Sequence, residues 1–144
     1  MKTLYQYAIV RFLPFAETGE FANAGIVLCA PDAGVFAFQL IATPSERVRQ
    51  FFLQLDNALL PNSLELLTNE LTRIQQLAEQ QSSTQLLATF QELIRPREQL
   101  IRYSGLRSIY TEKNTQLTLK LLFEQLVQGV AGITPQGEGL VSAH

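Results

Sequence analysis

Apolar and polar residues alternate with a period of two through the first part of the chain, and this pattern predicts three β-strands. They cover residues 4–13, 21–30 and 35–41. In the first strand both alternating sets are apolar, which is typical of a central strand covered on two sides. Residues 31–34 have turn-forming side chains, so the second and third strands are expected to form a hairpin.

After residue 43 the apolar residues recur every three or four positions, which predicts helices. Three helices are expected before Pro96, over residues 43–55, 64–80 and 84–95. Residues 100–111 return to strand chemistry with Gly105 in the middle, a position that favours a bulge or kink. Asn114 is the expected N-cap of a last helix. The order βββαααβα predicts an α+β domain in which an antiparallel sheet of about four strands packs against helices.

The length and composition fit a single domain, because 144 residues with 47% hydrophobic side chains can build one core. We assign residues 1–128 to this domain, and the small, glycine-rich residues 129–144 are expected to form a flexible C-terminal tail. The single cysteine fits a reducing compartment. We find no signal-peptide pattern and no apolar run long enough to cross a bilayer. We therefore expect a cytoplasmic protein with no membrane association.

The chain is poor in the side chains that carry catalysis or bind cofactors. Its one histidine is the terminal residue His144, and Cys29 lies in an apolar run that is typical of a buried thiol. Zinc ligands and glycine-rich phosphate loops are missing from the sequence. We therefore predict no catalytic residues and no cofactor or metal. The alternative is a metal-dependent enzyme that holds magnesium through Glu17, Glu20 and Asp32.

Arg11 is placed inside the first predicted strand, on a face that it shares with apolar side chains such as Tyr7. A buried guanidinium without a counter-charge would be very costly. We therefore predict a salt bridge to Glu20 or Glu17, with ligand binding as the alternative role.

Asn23 and Gly25 lie where most strands carry β-branched residues. Glycine permits a bulge or a close approach of another backbone, and asparagine tolerates unusual backbone geometry. We predict that the pair shapes the entry of the strand, with recognition as the alternative for Asn23.

Charge is divided between two parts of the chain. Residues 95–113 contain five basic and two acidic residues, a net charge of +3, whereas residues 50–94 contain one basic and five acidic residues, a net charge of −4. The chain as a whole has a net charge of −2, which argues against bulk attraction to nucleic acid. This division predicts a basic strand beside an acidic helical region.

The bulge expected in this basic strand would turn Arg102 and Arg107 to the same face. With Arg97, and with Tyr103 and Tyr110 nearby, they form a candidate surface for phosphate, single-stranded nucleic acid or an acidic protein. The alternative is that these arginines pair with the acidic helices of the same domain.

Four sequence segments resemble the bacterial family DUF3037, a domain of unknown function. They are Tyr5-x-Tyr7-Ala8-x-Val10-Arg11-Phe12-x-Pro14, Gly19-Glu20-Phe21-x-Asn23-x-Gly25-Ile26-Val27-Leu28, Arg95-Pro96-Arg97-Glu98-x-Leu100-Ile101-Arg102 and Leu121-Leu122-Phe123-Glu124-x-Leu126-Val127. The resemblance extends from about Tyr5 to Val127. Ala22 and Ala24 stand where the family more often has valine.

The resemblance implies a protein partner rather than a reaction. Members of the family are often encoded beside kinases that resemble HipA, so such a kinase is the partner that the resemblance implies. We therefore expect a non-enzymatic protein-interaction module whose candidate interaction residues are Arg11, Glu20, Asn23, Arg97, Arg102 and Arg107. The alternative is a nucleic-acid-binding protein that uses the basic strand at residues 95–107.

Overall fold

A computed structural model describes residues 1–15, 20–41, 59–97 and 100–128. In chain order its elements are β1 (Thr3–Phe15), β2 (Glu20–Ala30), a 3-10 turn (Pro31–Ala33), β3 (Val35–Leu40), α1 (Leu59–Ala78), α2 (Ser83–Ile94), β4 (Ile101–Tyr103), β5 (Arg107–Thr111) and α3 (Thr115–Leu126). The α+β prediction is confirmed. The predicted strand over residues 100–111 is two strands, so the described sheet has five strands rather than about four. The helix expected over residues 43–55 and the tail expected over residues 129–144 lie outside the described residues.

The sheet is antiparallel and is built around β1. Its order is β3-β2-β1, and β4 and β5 follow one another along the remaining side of β1. Ala8, Val10 and Phe12 are fully buried on one face of β1, and Tyr7 and Ile9 are buried on the other. Because both faces of this strand are apolar in sequence, each face must be shielded from water by other elements. The prediction of a central strand covered on two sides is confirmed.

Helices α1 and α2 cover the first face. The buried positions of α1 fall three or four residues apart, and Leu71 is completely buried together with Leu86 and Phe90 of α2. Each fully buried side chain of this kind stabilises the fold by roughly 1.5–3 kcal/mol. Cys29 belongs to the same cluster, and burial raises the pKa of its thiol to about 12. The expectation of a buried thiol is confirmed.

Helix α3 covers the second face, where Leu119, Leu122 and Phe123 pack against residues of β1, β2 and β3. It begins at the predicted N-cap, because the side chain of Asn114 accepts a hydrogen bond from the N–H of Leu117 at 2.8 Å. The sheet therefore lies between two helical layers. No helix of the described residues is both long and apolar enough to cross a membrane.

Strand β2 contains a bulge opposite the middle of β1. Val10 pairs with Gly25, whereas the next residue of β1, Arg11, pairs with Asn23, so Ala24 is the extra residue. A Cβ atom added at Gly25 would lie 2.6 Å from a backbone carbonyl oxygen of β3. Glycine is required here because β3 passes so close. The prediction that this pair shapes the backbone is confirmed.

Candidate interaction site

The connection between β4 and β5 contains one more residue than the segment of β1 that lies beside it. Tyr7 pairs with Arg107 and Val10 pairs with Tyr103, so three residues around Gly105 oppose only two residues of β1. This is a one-residue bulge, and it changes which side chains of the two short strands share a face. The bulge predicted at Gly105 is confirmed.

Ser104 fastens this connection to β1. Its Oγ accepts a hydrogen bond from the N–H of Ile9 at 2.8 Å, and its own N–H donates to the carbonyl of Ile9 at 2.9 Å. The hydroxyl also donates to the carbonyl of Gly105 at 3.0 Å. A side chain thus takes the place of a backbone acceptor where the regular ladder is interrupted. The sequence analysis missed Ser104, and the signal available was a small hydroxyl side chain next to the glycine.

The bulge brings three arginines to one face of the sheet. Arg102 lies directly opposite Arg11, and Arg107 lies directly opposite Tyr7. Tyr7 and Arg11 are four residues apart in one strand and therefore point to the same side. We call Arg11, Arg102 and Arg107 the arginine row. All three side chains are half-buried, on the face of the sheet that α3 covers.

The arginine row concentrates positive charge. Burial lowers the pKa of Arg11, and the positive charge of Arg107 lowers it further, which shows that the charges of the two guanidinium groups interact. The guanidinium carbon of Arg11 lies 4.4 Å from the centre of the Phe21 ring, a cation–π contact that orients it. Burial raises the pKa of Tyr7, while the charge of Arg107 and a hydrogen bond from it act in the opposite direction.

Asn23 connects this region to the end of α3. It lies directly opposite Arg11 on the β2 side, and its Nδ2 donates a hydrogen bond to the carbonyl of Leu126 at 2.8 Å. That carbonyl belongs to the last turn of the helix, where backbone acceptors have no helical partner. The Oδ1 of Asn23 is buried and has no hydrogen-bond partner among the described residues. Asn23 therefore has a structural role and leaves one acceptor inside the site.

Arg97 does not belong to the arginine row. It lies 3.1 Å from Glu92 at the end of α2, and Arg95 lies 3.3 Å from the same carboxylate. Its charge also acts on Tyr103. Burial raises the pKa of Tyr103, the negative charge of Glu70 raises it further, and the positive charge of Arg97 acts in the opposite direction. Tyr103 packs with the α1 and α2 side of the sheet. The alternative prediction, pairing with an acidic helix, is confirmed for Arg95 and Arg97.

Two of the three carboxylates suggested as metal ligands are far apart. Glu20 and Asp32 lie at opposite ends of β2, whose 11 residues span about 35 Å. Asp32 instead accepts a hydrogen bond from the hydroxyl of Ser83 at 2.7 Å. Glu17 and the side chain of Glu20 lie outside the described residues, as does the predicted salt bridge of Arg11 to either of them. Within the described ranges, no group of three or more acidic, histidine or cysteine side chains could hold a metal ion.

Comparison with known protein families gives a match over most of the chain. The family model described as "Protein of unknown function (DUF3037)" matches residues 7–127. The match begins inside β1 and ends just after α3, so it includes both sheet bulges and the whole arginine row. No curated protein and no solved structure matches the chain significantly.

Proposed function

The chain belongs to the DUF3037 family of proteins of unknown function, and from this premise we propose that it is a non-enzymatic interaction module that binds an acidic segment of a larger protein. The arginine row is the binding surface. The single observation that supports this function is the meeting of three half-buried arginines on one face of the sheet. A kinase resembling HipA is the partner that we propose to test first.

Electrostatics favours an anionic ligand at this position. Arg11 and Arg102 are direct cross-strand neighbours, and like charges in that arrangement destabilise a sheet. A carboxylate of the partner placed between them would accept charge-assisted hydrogen bonds in the bidentate geometry that guanidinium groups favour, in addition to the interactions that both arginines already make within the chain. Each such bond contributes roughly 1.5–3 kcal/mol. The gain is larger in a half-buried site than at an open surface, because water screens the charges less.

The arrangement of aromatic residues favours a protein ligand over nucleic acid. Sites for single strands combine a basic groove with aromatic rings on which bases stack. Tyr103 opposes Val10, and Tyr110 opposes Leu4, so both tyrosines belong to the opposite face of the sheet from the arginine row. Tyr103 and Tyr110 therefore do not form one groove with the arginine row. This supports a protein partner over the nucleic-acid alternative.

The test is affinity purification from the native host with two matched double variants. Arg102→Gln with Arg107→Gln removes two charges from the row, and Arg95→Gln with Arg97→Gln removes two charges from the far side, where both residues pair with Glu92. We expect the same partner, identified by mass spectrometry, on the wild type and the Arg95/Arg97 variant.

The Arg102/Arg107 variant should lose this partner on the order of tenfold or more, and moderate salt should release it from the wild type. Thermal unfolding shows whether both variants are folded. Equal capture by the two variants would refute the proposal. Release of the captured material by nuclease would support nucleic-acid binding in its place.

A further inference from the structure

The hydrogen bonds of β1 show which backbone groups of β5 are used inside the sheet. Ile9 exchanges hydrogen bonds with Ser104, and the N–H of Leu13 donates to the carbonyl of Leu100 at 2.7 Å. Both residues of β1 are odd-numbered, and the N–H and C=O of alternate residues in a strand point to the same side. The odd-numbered residues of β1 therefore direct their backbone groups toward β4 and β5.

The pairing register then identifies the outer edge of β5. Arg107 and Ile109 oppose odd-numbered residues of β1 and form the ladder bonds with it. The backbone N–H and C=O groups of Ser108 and Tyr110 consequently point away from β1. Among the described strands, β5 pairs with β1 alone. β5 thus presents an edge whose free donors and acceptors belong to Ser108 and Tyr110.

The side chains beside this edge differ between the two faces of the sheet. Arg107 lies on one face, as part of the arginine row. On the other face, Tyr110 and its cross-strand partner Leu4 have exposed fractions of 63% and 47%, and the ammonium of Lys2 lies 5.7 Å from the centre of the Tyr110 ring. A segment lying along the edge would meet positive charge on one side and an exposed apolar surface on the other.

We propose that the acidic segment of the partner binds as an extended strand added to the outer edge of β5, an inference that rests on the function proposed above. Its backbone would bond to Ser108 and Tyr110, as in other cases of strand addition. Carboxylates on one face of the segment would contact Arg107 and Arg102, and apolar side chains on its other face would cover Tyr110. The segment therefore alternates acidic and apolar residues.

Charge complementarity selects such a segment over a second copy of the chain. An antiparallel pair of β5 strands would bring two arginine rows to the same face of one continuous sheet, and the like charges would repel. An acidic segment would bring the opposite charge to the row while using the same edge. Backbone hydrogen bonds would supply the affinity, and the two faces would select the sequence.

The test uses a synthetic peptide of about eight alternating glutamate and valine residues, about the length of a typical strand. A peptide of alternating lysine and valine residues is the control. Ser108→Pro removes an outward N–H, and Ser108→Ala is the matched control. Proline is tolerated at an edge position whose N–H is outside the ladder. We expect Ser108→Pro to weaken binding on the order of tenfold and by clearly more than Ser108→Ala, which keeps the outward N–H, and we expect the lysine peptide not to bind.

Amide hydrogen exchange of the wild type provides a second measurement that needs no variant to fold. On addition of the glutamate–valine peptide, the amides of Ser108 and Tyr110 should gain protection, because they would become hydrogen-bonded. Unchanged exchange at both amides overturns strand addition, whether or not Ser108→Pro folds. Self-association that Ser108→Pro abolishes would also overturn it, in favour of a second copy.

The two proposals fail in different ways. If Arg102→Gln with Arg107→Gln weakens capture of the native partner while the amides of Ser108 and Tyr110 stay unprotected in that complex, the arginine row binds the partner without strand addition. If the Arg102/Arg107 variant captures the partner as the wild type does, the proposed function is wrong, and strand addition of an acidic segment is then wrong as well.

Discussion

Replacement of Ser104 by alanine tests whether the connection between β4 and β5 is held as the structure indicates. The serine hydroxyl is the acceptor for the N–H of Ile9 at 2.8 Å, and both residues are buried, with Ser104 3% exposed and Ile9 completely covered. Alanine fills almost the same volume and creates no clash. The variant removes both hydrogen bonds of the hydroxyl, and it leaves the N–H of Ile9 buried without an acceptor.

The expected loss follows from that buried donor. An unsatisfied buried N–H costs roughly 1–3 kcal/mol. The second bond of the hydroxyl, to the carbonyl of Gly105, adds little because Gly105 is exposed and water can replace it. We expect a destabilisation of about 2 kcal/mol, which changes the ratio of folded to unfolded protein about thirtyfold. For a chain of this size the melting temperature should fall by about 6 °C.

Urea unfolding, with the slope of the transition compared between variants, measures this loss. Ser108→Ala is the control, because Ser108 is exposed on β5, and its effect should stay within about 0.5 kcal/mol. The amide of Ile9 should exchange faster in Ser104→Ala than in the wild type. An alanine variant as stable as the control, with the Ile9 amide still protected, would refute this account of the connection.

Three further substitutions test neighbouring features. Gly25→Ala should lower the free energy of unfolding in urea by about 1–3 kcal/mol, because its Cβ would meet the backbone of β3. Gly105→Ala should be neutral or slightly stabilising, because nothing lies within 4 Å of its Cβ. Equal effects of the two substitutions would contradict the close approach at Gly25. Asn23→Ala should lower the free energy of unfolding by about 1 kcal/mol, because it removes the donor to the Leu126 carbonyl at the end of α3; an unchanged free energy in urea unfolding would contradict that role.

Burial raises the pKa of Cys29 from 9.0 to about 12. As the pH rises past 9, the thiol therefore ionises in the unfolded chain before it ionises in the folded protein, and the free energy of unfolding should fall between pH 9 and 12. This fall should be absent in Cys29→Ala. The same slope in both proteins would contradict it.

The sequence was sufficient for the features that depend on local periodicity. Two apolar faces identified β1 as a central strand, and the spacing of Leu119, Leu122 and Phe123 identified the buried side of α3. The N-cap at Asn114 was recognisable because its side chain acts on the next turn of the chain. Each of these signals is contained within a few consecutive residues.

The site depends on register, which local periodicity does not determine. The sequence suggested a bulge near Gly105, but the number of residues opposing it on β1 follows only from the pairing of Tyr7 and Val10. Grouping Arg97 with Arg102 followed their nearness in sequence, whereas the end of α2 and β4 present them to different sides of the sheet. Ser104 was overlooked because its acceptor role exists only once β1 lies beside it.

The unequal lengths of the central strand and α3 explain why an arginine occurs in β1. The 13 residues of β1 extend about 43 Å, whereas the 12 residues of α3 extend about 18 Å, so α3 alone cannot cover that face of the strand. Tyr5, Tyr7 and Ile9 lie under the helix, and at Arg11 the strand reaches the helix end, which Asn23 holds. An apolar residue at position 11 would be half exposed, whereas a guanidinium there can cover Phe21 and still reach a ligand. A cation placed where the helical cover ends therefore satisfies the fold at the same position that the proposed binding surface uses.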